Sequence, residues 1–62
     1  MNLSPRETQV MELLCAGEHD KEIARKLGVS PTTVRTYIRL VEAKLDAPGR
    51  IPACLKFDRM KR

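Results

Sequence analysis

Apolar residues recur at helical spacing in four successive runs, and each run is bracketed by start and stop signals. In the first, Val10, Leu13 and Leu14 form a stripe with Met11 and Cys15 beside it. Leu3-Ser4-Pro5-Arg6-Glu7 opens that run: Ser4 can accept an orphan amide of the first turn, Pro5 has no amide to leave unpaired, and Glu7 completes a capping box. Gly17 suits the left-handed residue after the last turn, so a helix is expected over about 5–16. In the second run Ile23, Ala24 and Leu27 face inward and Lys21, Arg25 and Lys26 outward; Asp20 is expected to cap it and Leu27-Gly28 to end it, over 20–27.

The third run starts at Ser30-Pro31, a cap followed by a proline at the first helical position, and extends over about 31–45. At about 100° per residue, Val34, Ile38, Val41 and Leu45 share one narrow arc. Thr32, Arg35, Thr36, Arg39 and Ala43 fall on the opposite side, and Tyr37 and Leu40 on the flanks. After the break at Asp46-Ala47-Pro48-Gly49, residues 50–60 are expected to form a fourth helix with Ile51, Cys54 and Leu55 inward and Phe57 as a further candidate; Pro52 is tolerated there if it falls in the first turn. No run alternates as a strand does, so the fold class is all-α: four short helices in one domain over 1–62, with a helix-turn-helix at residues 20–45.

A chain of 62 residues with one Tyr, one Phe and no Trp builds a thin core from Leu, Ile, Val, Met and Ala. The formal charge of +4 favours a polyanionic partner only where the charge is concentrated. It is concentrated: from Lys21 to Lys44 the two-helix unit carries Lys21, Arg25, Lys26, Arg35, Arg39 and Lys44 against Glu22 and Glu42 alone. A major groove accepts the outward face of the third helix, since arginine bonds guanine bidentately and small neighbours permit close approach. Exposed arginines four residues apart are ordinarily just solvated, but no acidic residue stands four positions before Arg35 or Arg39 to relieve their repulsion.

Cys15 and Cys54 have neither the number nor the spacing of a zinc site or a disulfide framework, and are expected as small buried apolar residues of a reduced cytoplasmic protein. His19 is a lone loop histidine, ordinarily solvated or capping, and no nucleophile, base and orienting group stand at useful spacing, so neither enzyme, cofactor nor metal is expected. No apolar run reaches the length of a membrane span, and Met1-Asn2-Leu3 is no signal peptide. The terminal Lys56, Arg59, Lys61 and Arg62 read as a frayed tail that touches phosphate.

Leu3-Ser4-Pro5-Arg6-Glu7, Val10, Leu13-Leu14, Gly17, Lys21-Glu22-Ile23-Ala24, Leu27-Gly28-Val29-Ser30, Thr33-Val34-Arg35-Thr36 and Lys44-Leu45, taken in order, resemble the C-terminal DNA-binding domain of LuxR/FixJ/NarL-type transcription regulators. The resemblance covers about residues 3–57 and implies sequence-specific double-stranded DNA binding and transcription regulation. By position, Arg35, Thr36 and Arg39 would reach base edges, and Lys21, Thr33, Tyr37 and Lys44 the phosphate backbone. It further implies a homodimer through the fourth helix, acting in the cytoplasm, bacterial or phage-encoded, and nucleoid-associated when bound. Tyr37 stands where such domains usually carry histidine, Asp20 where they carry asparagine, and Leu40 where they carry a polar residue. Relatives commonly carry an N-terminal sensory domain, so the chain fits either an excised domain or a stand-alone regulator. The alternative reading is a small interaction module or antagonist that uses the same fold to bind a related regulator or RNA polymerase.

Overall fold

In the computed structural model, which describes residues 3–61, the chain forms α1 (Pro5–Cys15), α2 (Asp20–Leu27), α3 (Pro31–Lys44) and α4 (Arg50–Met60), with no strand among the described residues. Arg62, assigned to the tail, lies outside them.

The start signals act as expected for α1 and α3. Ser4 Oγ accepts from Glu7 N at 3.1 Å while Glu7 Oε1 accepts from Ser4 N at 2.7 Å, a closed capping box. Ser30 Oγ accepts from Thr33 N at 3.1 Å, and Pro31 occupies the first helical position. Gly17 and Gly28 take φ values of 98° and 70° after α1 and α2, where a side chain would be strained. After α3 the same left-handed position falls on Asp46, φ 52°, a residue type that tolerates it, and Ala47 N then donates to Glu42 O at 2.8 Å to close the terminus.

The start of α2 differs from expectation. His19 is the N-cap, without a side-chain cap bond, and Asp20 is the first helical residue. Two arginines from elsewhere in the chain claim the Asp20 carboxylate, which therefore does not turn back onto the α2 amides. At the first helical position its negative charge still favours the helix dipole.

Two apolar clusters form the core. Val10, Ile23, Ala24, Val34 and Ile38 join α1, α2 and α3, with Leu13, Leu14, Leu27, Val29 and Tyr37 packed on them. Met11, Val41, Ala53 and Phe57 join α1, α3 and α4, with Leu45 and Cys54 at the edge. The face of α4 agrees with expectation at Phe57, which is buried, but Ala53 joins it inward while Ile51 is 77% and Leu55 61% exposed. Hydrophobicity alone favours the larger pair, but it is the Ala53 methyl and the Phe57 ring that pack on Met11 and Val41. Pro52 does fall in the first turn of α4, where its missing amide costs no bond.

The cysteines are a second correction. Cys15 and Cys54 form a disulfide with Cα atoms 5.5 Å apart, joining the last turn of α1 to the middle of α4. Neither is an apolar filler: Cys15 is exposed and Cys54 half-buried. A separation of 39 residues carries no spacing signal, because only the packing of α4 brings the sulfurs together.

Of the basic residues at the end of α4, Lys56 and Lys61 have partners within the fold. Lys56 Nζ donates to Leu45 O at 2.9 Å and Asp46 O at 2.8 Å, satisfying carbonyls at the end of α3. Lys61 Nζ lies 5.5 Å from the Phe57 ring centroid and 3.8 Å from Glu12 Oε2.

Candidate nucleic-acid interface

The exposed face of α3 follows from the burial of the opposite face. Val34, Ile38 and Val41 are 0–1% exposed, which fixes the rotation of the helix, and Thr32, Arg35, Thr36, Arg39 and Ala43 are consequently all exposed. Thr36 Oγ1 donates to Thr32 O at 3.1 Å, so its hydroxyl hydrogen is spent on the backbone and its lone pairs and methyl face outward. Arg39 and Lys21 make no ion pair or hydrogen bond with another described residue, leaving both charges available to an outside anion.

The other assigned residues are less free. Thr33 sits at the N-terminus of α3 with Oγ1 3.0 Å from Ser30 Oγ. Tyr37 is half-buried, its ring packed on the first core cluster. Lys44 is paired within the fold: its Nζ is 2.7 Å from Oε1 of Glu7, a carboxylate that is 3% exposed and also accepts from Ser4. The Lys44 ammonium, with the Ser4 amide second, holds the Glu7 carboxyl below its ordinary value despite burial. Lys44 is thus first a counter-ion to a buried charge.

Sequence reasoning missed Arg50 and the connection it makes. Asp20 Oδ1 and Oδ2 accept from Arg50 Nη1 and Nη2 at 2.7 and 2.8 Å, and Asp20 Oδ2 lies 3.5 Å from Arg35 Nε. The Arg50 guanidinium, and after it the nearby positive charge, pulls the Asp20 carboxyl below its ordinary value, while Asp20 raises Arg50. Arg35 therefore has an acidic neighbour after all, supplied across space by α2 where none stood on its own helix. Asp20 and Arg50 are 30 residues apart, and nothing in either local pattern announces the pair. Leu40 is 47% exposed on the flank of the same helix.

A short α2, a tight corner at Gly28 to Ser30, and a longer α3 with its polar face open define a helix-turn-helix domain. The sequence profile described as bacterial regulatory proteins, luxR family, matches residues 1–57, and the chain belongs to that family of transcription regulators. It is 43% identical over 51 residues to the transcriptional regulatory protein DesR of Bacillus subtilis, covering 82% of this chain and 26% of that one. It is 50% identical over 46 residues to the transcriptional regulatory protein FixJ of Bradyrhizobium diazoefficiens, covering 74% and 22%. To the spore germination protein GerE of Bacillus subtilis it is 41% identical over 58 residues, covering 94% and 78%. The chain thus spans about a quarter of the length of DesR and most of GerE. No solved structure matches it significantly.

Proposed function

We propose that the chain binds double-stranded DNA sequence-specifically and regulates transcription, with α3 in the major groove. The observation that carries this reading is the outward face of α3, where Arg35, Thr36 and Arg39 stand exposed and successive on a helix whose other face is locked in the core. Arg35 and Arg39 donate to base edges, and Thr36 contacts a base through its methyl or oxygen. Lys21, Thr33 and Tyr37 hold backbone phosphate, with Lys44 contributing less because a phosphate must compete with Glu7.

Two copies would meet through α4, where Ile51 and Leu55 expose one apolar turn beside Leu14 and Cys54. A symmetric pair would place two α3 helices on half-sites about one helical turn, roughly 10 base pairs, apart. The site of action would be the bacterial cytoplasm, on the nucleoid; no helix among the described residues is long and apolar enough to cross a membrane.

Selecting bound duplexes from a random pool and then titrating variants tests this reading. Arg35→Ala or Arg39→Ala should cost about 1–3 kcal/mol on the selected site and relax base preference, whereas Lys21→Ala should weaken all sequences alike and flatten the salt dependence. A pool without enrichment, together with a stable complex with a related regulator or RNA polymerase, would favour the interaction-module reading instead.

A further inference from the structure

We infer that Asp20 is a positioning residue for base reading, which presents the guanidinium of Arg35 to the groove and is itself fixed by Arg50. The inference rests on the DNA-binding reading and deepens it at one residue. Its basis is the direction of the contacts. Arg50 takes both oxygens of Asp20 in a fork, at 2.7 and 2.8 Å, which fixes the plane of the carboxylate. The Asp20 side chain is only 19% exposed, so the carboxylate is not simply floating in solvent. Arg35 approaches the remaining side of Oδ2 through Nε, at 3.5 Å. Neither Nη of Arg35 is bonded to another described residue, and that pair can make the end-on bidentate contact to guanine O6 and N7.

A long arginine side chain loses rotamer freedom when it binds a base. A carboxylate placed beside the inner nitrogen, within ion-pair distance, biases the side chain toward that rotamer before DNA arrives, without occupying the outer donors. The local charge also permits it: one carboxylate stands between two guanidiniums, so the surface there stays net positive. Arg50 is the first residue of α4, so the chain α4–Arg50–Asp20–Arg35 further ties the helix of the proposed dimer contact to the reading helix.

A different consequence of an acid at this position is plain repulsion of phosphate, and the two separate experimentally. Repulsion would make Asp20→Asn bind every duplex more tightly with base preference unchanged. Positioning makes Asp20→Asn lose preference at the guanine read by Arg35. The experiment is fluorescence-anisotropy titration of the full chain against the selected duplex and against duplexes with single guanines replaced, at two salt concentrations. Asp20→Asn should lower discrimination at one guanine by about tenfold, with Arg50→Met acting in the same direction. Asp20→Asn should have no further effect on discrimination in an Arg35→Ala background, as expected of a residue acting through Arg35. In the free protein, the Arg35 Nε–H resonance should move on Asp20→Asn while the backbone spectrum of α1 and α3 is retained.

Unchanged discrimination with uniformly tighter binding, or an Arg35 Nε–H signal indifferent to Asp20→Asn, would overturn the inference while leaving DNA binding intact. Failure of the unsubstituted chain to prefer any duplex would instead overturn the DNA-binding reading, and this inference with it.

Discussion

Around Ile38, the α1–α2–α3 end of the molecule is closed by aliphatic side chains, Val10, Ile23, Ala24, Val34 and Ile38, all within 3% of full burial. The α4 end has a smaller core of Met11, Val41, Ala53 and Phe57 and adds specific ties to it: Cys15 to Cys54, Lys56 to the carbonyls of Leu45 and Asp46, and Arg50 to Asp20. Where three helices converge, non-directional burial is the dominant tie, with Lys44–Glu7 and Arg35–Asp20 at its edge. A fourth helix whose two large aliphatics face solvent needs partners at fixed points.

The largest effects test that contrast directly. Ile38→Ala should cost about 2–5 kcal/mol and, in so small a chain, unfold both ends together. Phe57→Ala should cost about 3–5 kcal/mol, yet release α4 while α1 to α3 persist, as amide resonances recorded at low temperature would show. Loss of all resonances in both variants would erase the distinction between the two ends.

Next in size is the disulfide. Reduction, or the Cys15→Ser/Cys54→Ser pair, should lower stability by about 2–4 kcal/mol in a urea titration, with the loss concentrated in α4. Glu7→Gln should follow at about 1–3 kcal/mol, since it keeps the shape but discards the charge that Lys44 and Ser4 partner. The pH dependence gives its sign. Glu7 and Asp20 both have carboxyls lowered on folding, so their stabilisation is complete above the ordinary carboxylate range and is lost as pH falls below about 4.5. The acid limb of a stability-versus-pH curve should therefore be shallower in Glu7→Gln. The smallest change in stability is expected for Ile51→Ser and Leu55→Ser, within about 0.5 kcal/mol for the isolated chain. Sedimentation on a two-half-site duplex should nonetheless show weakened pairing of copies.

The same contrast explains what could be read from sequence. Local chemistry determines the helix ends: Ser4-Pro5-Glu7 and Ser30-Pro31 fix two starts, Gly17 and Gly28 two stops, and the exposed face of α3 follows from the spacing of Val34, Ile38 and Val41. What eluded the sequence lies at contacts distant along the chain. Asp20 was expected to cap its own helix because no local pattern reveals Arg50, 30 residues on. Hydrophobicity ranks Ile51 and Leu55 above Ala53, yet the packing of α4 on Met11 and Val41 buries Ala53 and exposes the larger pair. Lys44 and Glu7 stand 37 residues apart, and only the fold shows them paired.

The Cys15–Cys54 bond also makes residues 15 to 54 a closed ring that contains the whole of α2 and α3. A single protease cut in the Asp46 to Gly49 loop would then open the ring without separating its pieces, and the nicked chain would run as one species until a thiol was added. In a reducing compartment the same cut would release α4. The bond thus determines whether backbone damage in that loop dismembers the protein or merely changes its topology.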